Sequence, residues 1–262
     1  MEQFGVEIYP DERVDDLQCR GYKLIQKKKG FSFGSDAVLL AAFAEVRRGD
    51  QILDLGTGSG IIPVLLAAKT KAAMIKGIEI QPEIAGMANR SIVMNKLENK
   101  VEIVCGDLRD YNNLKVGWYD LVVTNPPYNK TGGSIINNSG PVAISRHEVT
   151  CTLNDVVTSA ARALRPDGRF AVVYRPERLV DLVWIMRNVG IEPKCLRFVH
   201  SSIYKKAHLV LINGTKGGKP ELKMLPPLYI YDEVGLYTEE VRRIYGDDCR
   251  KALSGSDTDR ES

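Results

Sequence analysis

The sequence is poor in the residue patterns that build metal centres and disulfide frameworks. Its five cysteines are far apart and form no CxxC pair, which is typical of free thiols in a reducing compartment. Its three histidines form no HExxH motif or similar pair. Because metal centres need several such ligands at fixed spacing, we expect no metal site.

Long apolar segments are missing too. The longest ones, around Val38–Ala44 and Ile61–Ala68, are far shorter than the about 20 residues that a membrane-spanning helix requires. Acidic residues occur in the N-terminal segment before any apolar run, which argues against a secretory signal peptide. The sequence therefore predicts no membrane partner and a cytoplasmic protein.

Charge of neither sign dominates the sequence. The chain has 262 residues, with 36 Lys+Arg against 33 Asp+Glu and a formal net charge of +3. Hydrophobic residues make up 44%, which is ordinary for a globular protein. The composition neither requires a nucleic-acid partner nor excludes one, since a basic face can coexist with an acidic ligand pocket.

From residue 50 onward, short apolar strands alternate with helices. Five strands are predicted, at Gln51–Leu55, Met74–Ile80, Val101–Cys105, Tyr119–Thr124 and Arg169–Tyr174. This alternation predicts an α/β fold with a doubly wound, mostly parallel sheet. Two further strands, Lys194–Val199 and His208–Ile212, are joined by a turn too short for a parallel crossover. We therefore expect those two to be antiparallel.

The helices and boundaries follow from the same pattern. Helices are predicted at Ile61–Lys69, from Pro82 onward, at Leu153–Leu164 with a stop near Pro166, and at Leu179–Val189. An earlier helix, through about Ala44, is expected to have Ser35 or Asp36 as its cap. Gly214–Pro220 is predicted to be a loop. We divide the chain into a basic N-terminal extension at 1–34, a main domain at 35–252 and a disordered tail at 253–262.

A glycine-rich turn, Asp54–Gly60, stands between a predicted strand and a predicted helix. Its GxGxG spacing differs from the GxGxxG of a dinucleotide fingerprint, because Ile61 occupies the place of the last glycine. Glu79 follows 19 positions after Gly60, at the end of the next strand. A carboxylate there can accept hydrogen bonds from both hydroxyls of a ribose. The two features together predict a site for a nucleoside-containing cofactor.

Acidic and amide side chains also follow the third and fourth strands. Asp107 comes directly after the third strand, where its carboxylate can accept from an adenine amino group, although aspartate is also a good helix cap. Asn125-Pro126-Pro127-Tyr128 follows the fourth strand and is the most specific motif in the chain.

The Asn-Pro-Pro-Tyr motif suits the methylation of a planar amino group. Such a nitrogen is a poor nucleophile because its lone pair is delocalised. The side-chain oxygen of Asn125 and the carbonyl of Pro126 can each accept one amine hydrogen, which favours a tetrahedral nitrogen with its lone pair free. Pro127 stiffens the loop, and the ring of Tyr128 can stack on the planar group.

These motifs resemble the class I, Rossmann-like methyltransferases that methylate amino nitrogens with S-adenosylmethionine. Two further stretches, Gly30–Leu40 and Ser145–Glu148, are similar to the bacterial tRNA(adenine-N6)-methyltransferases that act at position 37 of a valine tRNA. The resemblance covers about residues 20–215. It implies a seven-stranded sheet with one antiparallel strand, S-adenosylmethionine as the cofactor, and a methyltransferase domain at 35–252.

The resemblance also implies the residues of the site. It places Phe33, Ser35 and Asp36 over the methionine end of the cofactor. With the motifs above, the predicted cofactor-binding residues are Ser35, Asp36, Asp54, Gly56, Thr57, Gly58, Gly60, Glu79, Ile80, Asp107, Leu108 and Asn125. The predicted catalytic residues are Asn125, Pro126, Pro127 and Tyr128.

The motif does not identify the substrate, because a glutamine amide has the same kind of delocalised nitrogen. Three functions compete: methylation of adenine N6 in tRNA, methylation of a protein glutamine at N5, and binding without catalysis. An amino group in rRNA or DNA is a further possibility. The glutamine enzymes usually carry a helical domain before the cofactor motif, whereas only about 50 residues precede it here. The Asn-Pro-Pro-Tyr motif keeps all of its catalytic residues, which disfavours a protein that binds without catalysis.

Several basic clusters point to an anionic partner. The residues that we expect to contact phosphates are Lys27, Lys28, Lys29, Arg146, Lys205 and Lys206. Each cluster alone is as compatible with a solvated face, but several clusters on loops favour an extended polyanion. The sequence therefore predicts a tRNA adenine-N6 methyltransferase with tRNA as its partner.

Overall fold

The computed structural model describes residues 2–3, 5–29, 34–127 and 151–246, without the side chains of residues 2 and 3. The strands among them are β1 (Glu2–Gln3), β2 (Val6–Glu7), β3 (Glu12–Asp16), β4 (Lys23–Lys27), β5 (Gln51–Leu55), β6 (Met74–Glu79), β7 (Val101–Cys105), β8 (Tyr119–Thr124), β9 (Leu164–Tyr174), β10 (Ile191–His200), β11 (Ala207–Lys216), β12 (Lys223–Met224) and β13 (Leu228–Tyr229). The helices are α1 (Ser35–Phe43), α2 (Ile61–Lys69), α3 (Pro82–Met94), α4 (Leu153–Ala163), α5 (Leu179–Asn188) and α6 (Glu239–Tyr245), with a 3-10 turn at Pro176–Arg178.

One large sheet forms the centre of the described fold. Its strand order is β12-β10-β11-β9-β8-β5-β6-β7, and β13 also pairs with β10. Strands β5 to β9 run parallel to one another, while β11 is antiparallel to both β9 and β10. The predicted α/β class, the mostly parallel sheet and the antiparallel pair near the C-terminus are confirmed. The two-residue strands β12 and β13 add to the seven strands expected.

Both faces of the sheet are covered by helices, which explains the continuous apolar run in its central strand β8. In β8, Leu121, Val122 and Val123 are all fully buried. Leu121 and Val123 pack with residues of α1, α2 and α3. Val122 points the other way and packs with residues of α4 and α5, because successive side chains of a strand alternate between faces.

The strand directions bring the predicted site residues to one edge of the sheet. Strands β5, β6, β7 and β8 are parallel, so their carboxyl ends lie side by side. In open α/β sheets, ligands bind in the crevice outside this edge. The glycine-rich turn, Asp107 and Asn125 follow β5, β7 and β8, and Glu79 is the last residue of β6.

The N-terminal segment forms two hairpins, β1–β2 and β3–β4, which the sequence did not predict. The amide of Ile25 in β4 donates to Ser91 Oγ of α3 at 3.0 Å. Arg90 of α3 pairs with the buried carboxylate of Glu12 in β3 at 2.7 Å. Residues 1–34 contain as many acidic as basic side chains, so describing them as a basic extension was wrong. The boundary after residue 34 stays a prediction, and the predicted tail at 253–262 lies outside the described residues.

Two local predictions at helix ends need correction. Helix α1 begins at Ser35 with Gly34 as its N-cap and no side-chain cap, so neither Ser35 nor Asp36 is the cap. Strand β9 begins at Leu164 and runs through Pro166, because the chain enters the sheet directly from α4.

The predicted loop at Gly214–Pro220 was also wrong at its start. Strand β11 continues to Lys216, since Gly214 pairs with Phe170 of β9. A Cβ at Gly214 would lie 2.6 Å from Met186 Cε, so the glycine allows α5 to pack closely over the strand.

None of the helices in the described part of the chain combines the length and the apolar character that a membrane-spanning segment needs.

Candidate active site

The glycine-rich turn leaves β5 and leads into α2. The amides of Gly56 and Thr57 donate to the Ile78 carbonyl at 3.0 and 2.9 Å, which fixes the turn against β6. Gly56 and Gly58 have φ of 72° and 56°, a region that favours glycine. A Cβ at either position would meet nothing within 4 Å. The backbone of the turn therefore faces open space, which is where a ligand could approach it closely.

Gly60 has a different role. Its φ is 82°, and an added Cβ would lie 3.3 Å from Ala88 Cβ in α3. This glycine therefore allows the turn to pack against a neighbouring helix, and it does not line a cavity.

Asp54 is fully buried behind the turn. Neither of its carboxylate oxygens has a hydrogen-bond partner in the part of the chain that the structure describes. Burial raises the pKa of Asp54 to about 7; the nearby Thr57 hydroxyl lowers it, and the Glu79 charge raises it further. A carboxyl group held in this way is costly to ionise, so a positive charge placed near it would favour its ionised form.

Glu79 lies at the carboxyl end of β6 and is almost completely buried. One of its oxygens accepts from the Gly58 amide at 3.0 Å, and the other accepts from the Gln81 amide at 3.0 Å. The carboxylate thus holds the glycine-rich turn in position. Each oxygen keeps a further lone pair, which leaves the predicted ribose contact possible.

Asp107 follows β7 and is paired with Arg109, a residue that the sequence reasoning missed. Its oxygens accept from the Arg109 backbone amide at 2.8 Å and from Arg109 Nε at 3.0 Å. This pairing lowers the pKa of Asp107, so the carboxylate stays ionised. Asn113 Nδ2 also donates to the Asp107 carbonyl at 3.1 Å. The short spacing between Asp107 and Arg109 was the available signal for this ion pair.

Asn125, Pro126 and Pro127 leave the end of β8. Thr124, directly before them, is buried and donates from its hydroxyl to the Leu55 carbonyl at 2.8 Å. This bond ties the end of β8 to the end of β5, so Asn125 starts beside the glycine-rich turn. Asn125 is half-buried, Pro126 is buried and Pro127 is exposed. Tyr128 lies outside the described residues.

Two cavities meet at Asn125. The first, of about 470 Å³, is lined by Ile80, Asp107, Leu108, Pro127 and the half-buried Cys151, among others. The second, of about 550 Å³, extends over the glycine-rich turn towards the N-terminal hairpin. Both cavities are lined by Gly56, Glu79, Gln81 and Asn125. This arrangement fits a long ligand whose two ends differ in chemistry.

The walls of the two cavities separate the predicted cofactor residues into two groups. Those that line a cavity are Gly56, Thr57, Gly58, Glu79, Ile80, Asp107, Leu108 and Asn125. Ser35, Asp36, Asp54 and Gly60 do not line either cavity, although Gly34 and Ala37 beside the first two do. Ile80 is 55% exposed despite being apolar, as expected of a residue that covers a flat ligand group. Gln81 and Cys151 carried no sequence signal.

The predicted phosphate-binding residues have different surroundings. Lys27 is paired with Asp11 and Glu83, which raises its pKa. Lys28 Nζ donates to the Pro10 carbonyl at 2.8 Å, and Lys29 lines the second cavity. Lys27 is therefore committed to two carboxylates, whereas Lys28 and Lys29 are exposed.

Lys205 and Lys206 are exposed in the turn between β10 and β11. Strand β10 runs in the same direction as β9, since β11 is antiparallel to both. This turn therefore lies at the same edge of the sheet as Asn125. Arg146 lies outside the described residues. No group of three or more His, Cys, Asp or Glu side chains that could hold a metal occurs among the residues described.

Comparison with known proteins identifies the family. Residues 27–183 match the family model of the methyltransferase small domain. The chain is 34% identical over 176 residues to a tRNA1(Val) (adenine(37)-N6)-methyltransferase of Porphyromonas gingivalis, covering 64% of this chain and 68% of that one. A protein of the same name from Parabacteroides distasonis is 29% identical, covering 78% of this chain and 86% of that one.

A solved structure shows the same fold. The crystal structure of a predicted O-methyltransferase from Agrobacterium tumefaciens has a TM-score of 0.67 at 20% identity, covering 80% of this chain and 95% of that chain. The fold, the two cavities at the carboxyl edge and the family match agree, and the chain belongs to the methyltransferase small domain family.

Proposed function

We propose that this protein transfers a methyl group from S-adenosylmethionine to the N6 amino group of an adenine in tRNA. The observation that carries the proposal is the position of Asn125, on the wall that the two cavities share. The names of the relatives indicate adenine 37 of tRNA1(Val) as the nucleotide.

The first cavity suits the adenosine part of the cofactor. Glu79 offers carboxylate oxygens to ribose hydroxyls, and the ionised Asp107 offers an acceptor to an adenine amino group. The exposed side chain of Ile80 provides apolar cover for a flat ring. The open space before Gly56 and Gly58 leaves room for the methionine part. The cofactor supplies an electrophilic methyl group on a positively charged sulfur.

Asn125 and Pro126 prepare the acceptor nitrogen. The adenine amine needs its hydrogens drawn aside so that its lone pair can leave the ring system. The Asn125 side-chain oxygen and the Pro126 carbonyl are acceptors on a loop fixed by Thr124 and by two prolines. Because these acceptors meet more positive amine hydrogens in the transition state than in the ground state, they accelerate the reaction without a strong base.

The surroundings of the site suit a polyanionic substrate. Basic side chains near this edge, including Lys29, Lys205 and Lys206, can contact phosphates. A cytoplasmic location and a catalytic domain at 35–252 belong to the same proposal. The location agrees with a tRNA substrate, and the domain bounds rest on the sequence pattern.

Transfer of labelled methyl from S-adenosylmethionine to total tRNA, total protein and DNA, assayed in parallel and followed by nucleoside analysis, tests the proposal. We expect N6-methyladenosine in the tRNA fraction. Asn125→Ala should reduce single-turnover transfer, measured at saturating S-adenosylmethionine, roughly a hundredfold or more, because one transition-state acceptor is lost. Asn112→Ala, which removes an exposed asparagine outside both cavities, is the matched control.

Other outcomes would reject either the tRNA substrate or the proposed mechanism. Label in the protein fraction on a glutamine side chain would identify a glutamine methyltransferase and reject the tRNA proposal. Label in DNA alone would reject it too. Near-normal transfer by Asn125→Ala would reject the proposed mechanism even with tRNA as substrate.

A further inference from the structure

A third groove lies at the same edge of the sheet as Asn125, on the far side of β9. Its walls are the turn that follows β10, at residues 201–206, and the loop that follows β13, at residues 231–235. The groove has a volume of about 390 Å³. Because β13 is parallel to β10 and β10 runs with β9, all these loops leave the sheet in the same direction.

The strand order sets the distance between this groove and the reacting group. Passing from β8 to β10 crosses β9 and β11, and β13 is one strand further out. At about 4.8 Å between strands, the groove is roughly 14–19 Å from Asn125. A single nucleotide in the active site cannot reach so far, whereas a folded RNA spans the distance easily.

The groove is lined by large side chains that are unusually exposed. Tyr204 is 78% exposed, Ile203 46% and Tyr231 39%. Lys205 and Lys206 follow directly and are exposed. Aromatic rings for stacking combined with lysines for phosphates are the features with which proteins bind unpaired nucleotides.

The ring of Tyr231 is held in place before any ligand binds. It stacks on Tyr237 with ring centres 5.2 Å apart, and Tyr237 stacks on Tyr245 at 5.5 Å. A platform fixed in this way loses little conformational freedom when a base stacks on it.

The two walls are joined by backbone hydrogen bonds. The Ile230 amide donates to the His200 carbonyl at 2.9 Å, and the Tyr231 amide donates to the Ser201 carbonyl at 2.8 Å. His200 Nδ1 lies 2.7 Å from the Lys205 carbonyl. The spacing of the walls is therefore set by the fold, and the groove is formed without a ligand.

Two carboxylates also line the groove. Asp232 Oδ1 accepts from the backbone amides of Val234 and Leu236 at 3.1 and 2.9 Å, which shapes the loop. Glu233 is exposed. Carboxylates repel phosphates, but they accept hydrogen bonds from the amino groups on base edges. The charges thus suit a base inside the groove and phosphates beside Lys205 and Lys206.

We propose that the groove between Tyr204 and Tyr231 binds an unstacked base of the tRNA substrate, with Lys205 and Lys206 on neighbouring phosphates. This inference rests on the proposed tRNA methylation. The groove acts as a second contact that orients the RNA while the target adenine occupies the active site.

Binding and methylation of tRNA by groove variants test this inference. Tyr204→Ala and Tyr231→Ala should each raise the tRNA Kd about tenfold, the usual effect of losing one stacked base. Tyr204→Phe keeps the ring and should bind tRNA with the Kd of the wild-type protein. Replacing Lys205 and Lys206 together by alanine should lower the slope of log Kd against log salt concentration by about 1.5, because two phosphate contacts are lost.

The controls come from the opposite edge of the sheet. Trp118, which is 52% exposed, precedes β8, and the exposed Lys71 precedes β6. Trp118→Ala and Lys71→Ala should leave tRNA affinity unchanged. Cofactor affinity, measured by calorimetry, should be unchanged in every variant of the set.

The remaining results distinguish failure of the proposed function from failure of the groove proposal. If the unchanged protein does not methylate tRNA, the proposed function fails and the groove proposal fails with it. If it methylates tRNA but Tyr204→Ala and Tyr231→Ala behave like Trp118→Ala, only the groove proposal is overturned. Should the groove variants also lose cofactor binding, photo-crosslinking of thiouridine-containing tRNA to the unchanged protein decides: crosslinks at residues 201–206 or 231–235 support the groove, and their absence overturns it.

Discussion

Replacing Asp54 by asparagine measures how one buried carboxyl group makes the free energy of unfolding depend on pH. The pKa of Asp54 is about 7 in the folded protein against an ordinary value of 3.8. Between those two pH values the folded protein holds a proton that the unfolded chain lacks. The free energy of unfolding should therefore fall as pH rises through this window, by about 1.4 kcal/mol per pH unit, and should then level off above pH 7.

An asparagine side chain has nearly the same shape as that of aspartate but cannot ionise, so the Asp54→Asn variant loses this dependence. The free energy of unfolding of the variant minus that of the unchanged protein should grow by roughly 2 kcal/mol between pH 5 and pH 7. It should change little from pH 7 to pH 8. Taking the difference cancels contributions from other groups, such as His208, whose pKa is lowered chiefly by burial.

Urea denaturation of the two proteins without cofactor, at half-unit steps from pH 5 to pH 8, measures the difference. Asp107→Asn is the matched control: pairing with Arg109 lowers the pKa of Asp107, so this carboxyl group is ionised in both the folded and the unfolded protein throughout this range, and the difference should be flat. A flat difference for Asp54→Asn as well would refute the assignment of a buried, protonated carboxyl group behind the glycine-rich turn.

Two further predictions concern the ligands. Glu79→Ala removes the acceptor of the Gly58 amide as well as the proposed ribose contact. Calorimetry should therefore show that S-adenosylmethionine binding is weaker by a few kcal/mol, about the value of hydrogen bonds to a charged group. Unchanged affinity would reject the ribose assignment. Lys28→Ala with Lys29→Ala should flatten the salt dependence of tRNA binding, whereas Lys27→Ala should not, because Lys27 is already paired with carboxylates. Equal slopes in the Lys28/Lys29 double variant and the Lys27→Ala variant would mean that these residues form only a solvated face.

The central sheet was predictable because local pattern and tertiary structure agree there. Strand β8 is an apolar run between polar residues, and helix α2 begins and ends where the sequence indicates. The glycine-rich turn and Asn125 were equally accessible, since their chemistry depends on residue type and spacing along one segment. The carboxyl ends of parallel strands then bring these segments together without further information.

The N-terminal hairpins could not be predicted from local sequence. Strand β3 contains four charged residues out of five, and its stability depends on Arg90, which is distant in sequence and pairs with Glu12. The same holds for Lys27, which looks like a phosphate ligand in sequence but meets Asp11 and Glu83 in the fold. Long-range ion pairs of this kind leave no periodic signal.

The position of β11 between β9 and β10 has a consequence for how the chain folds during synthesis. As the chain leaves the ribosome, β10 is made before β11, yet its place in the sheet is separated from β9 by the strand that comes later. Until Lys216 has been synthesised, the outer edge of β9 has unpaired amides and carbonyls, and β10 has no edge to join. Exposed strand edges template pairing with other chains. A nascent chain stalled between β10 and β11 therefore exposes strand edges that the folded protein covers, and protection by a chaperone would matter in that interval.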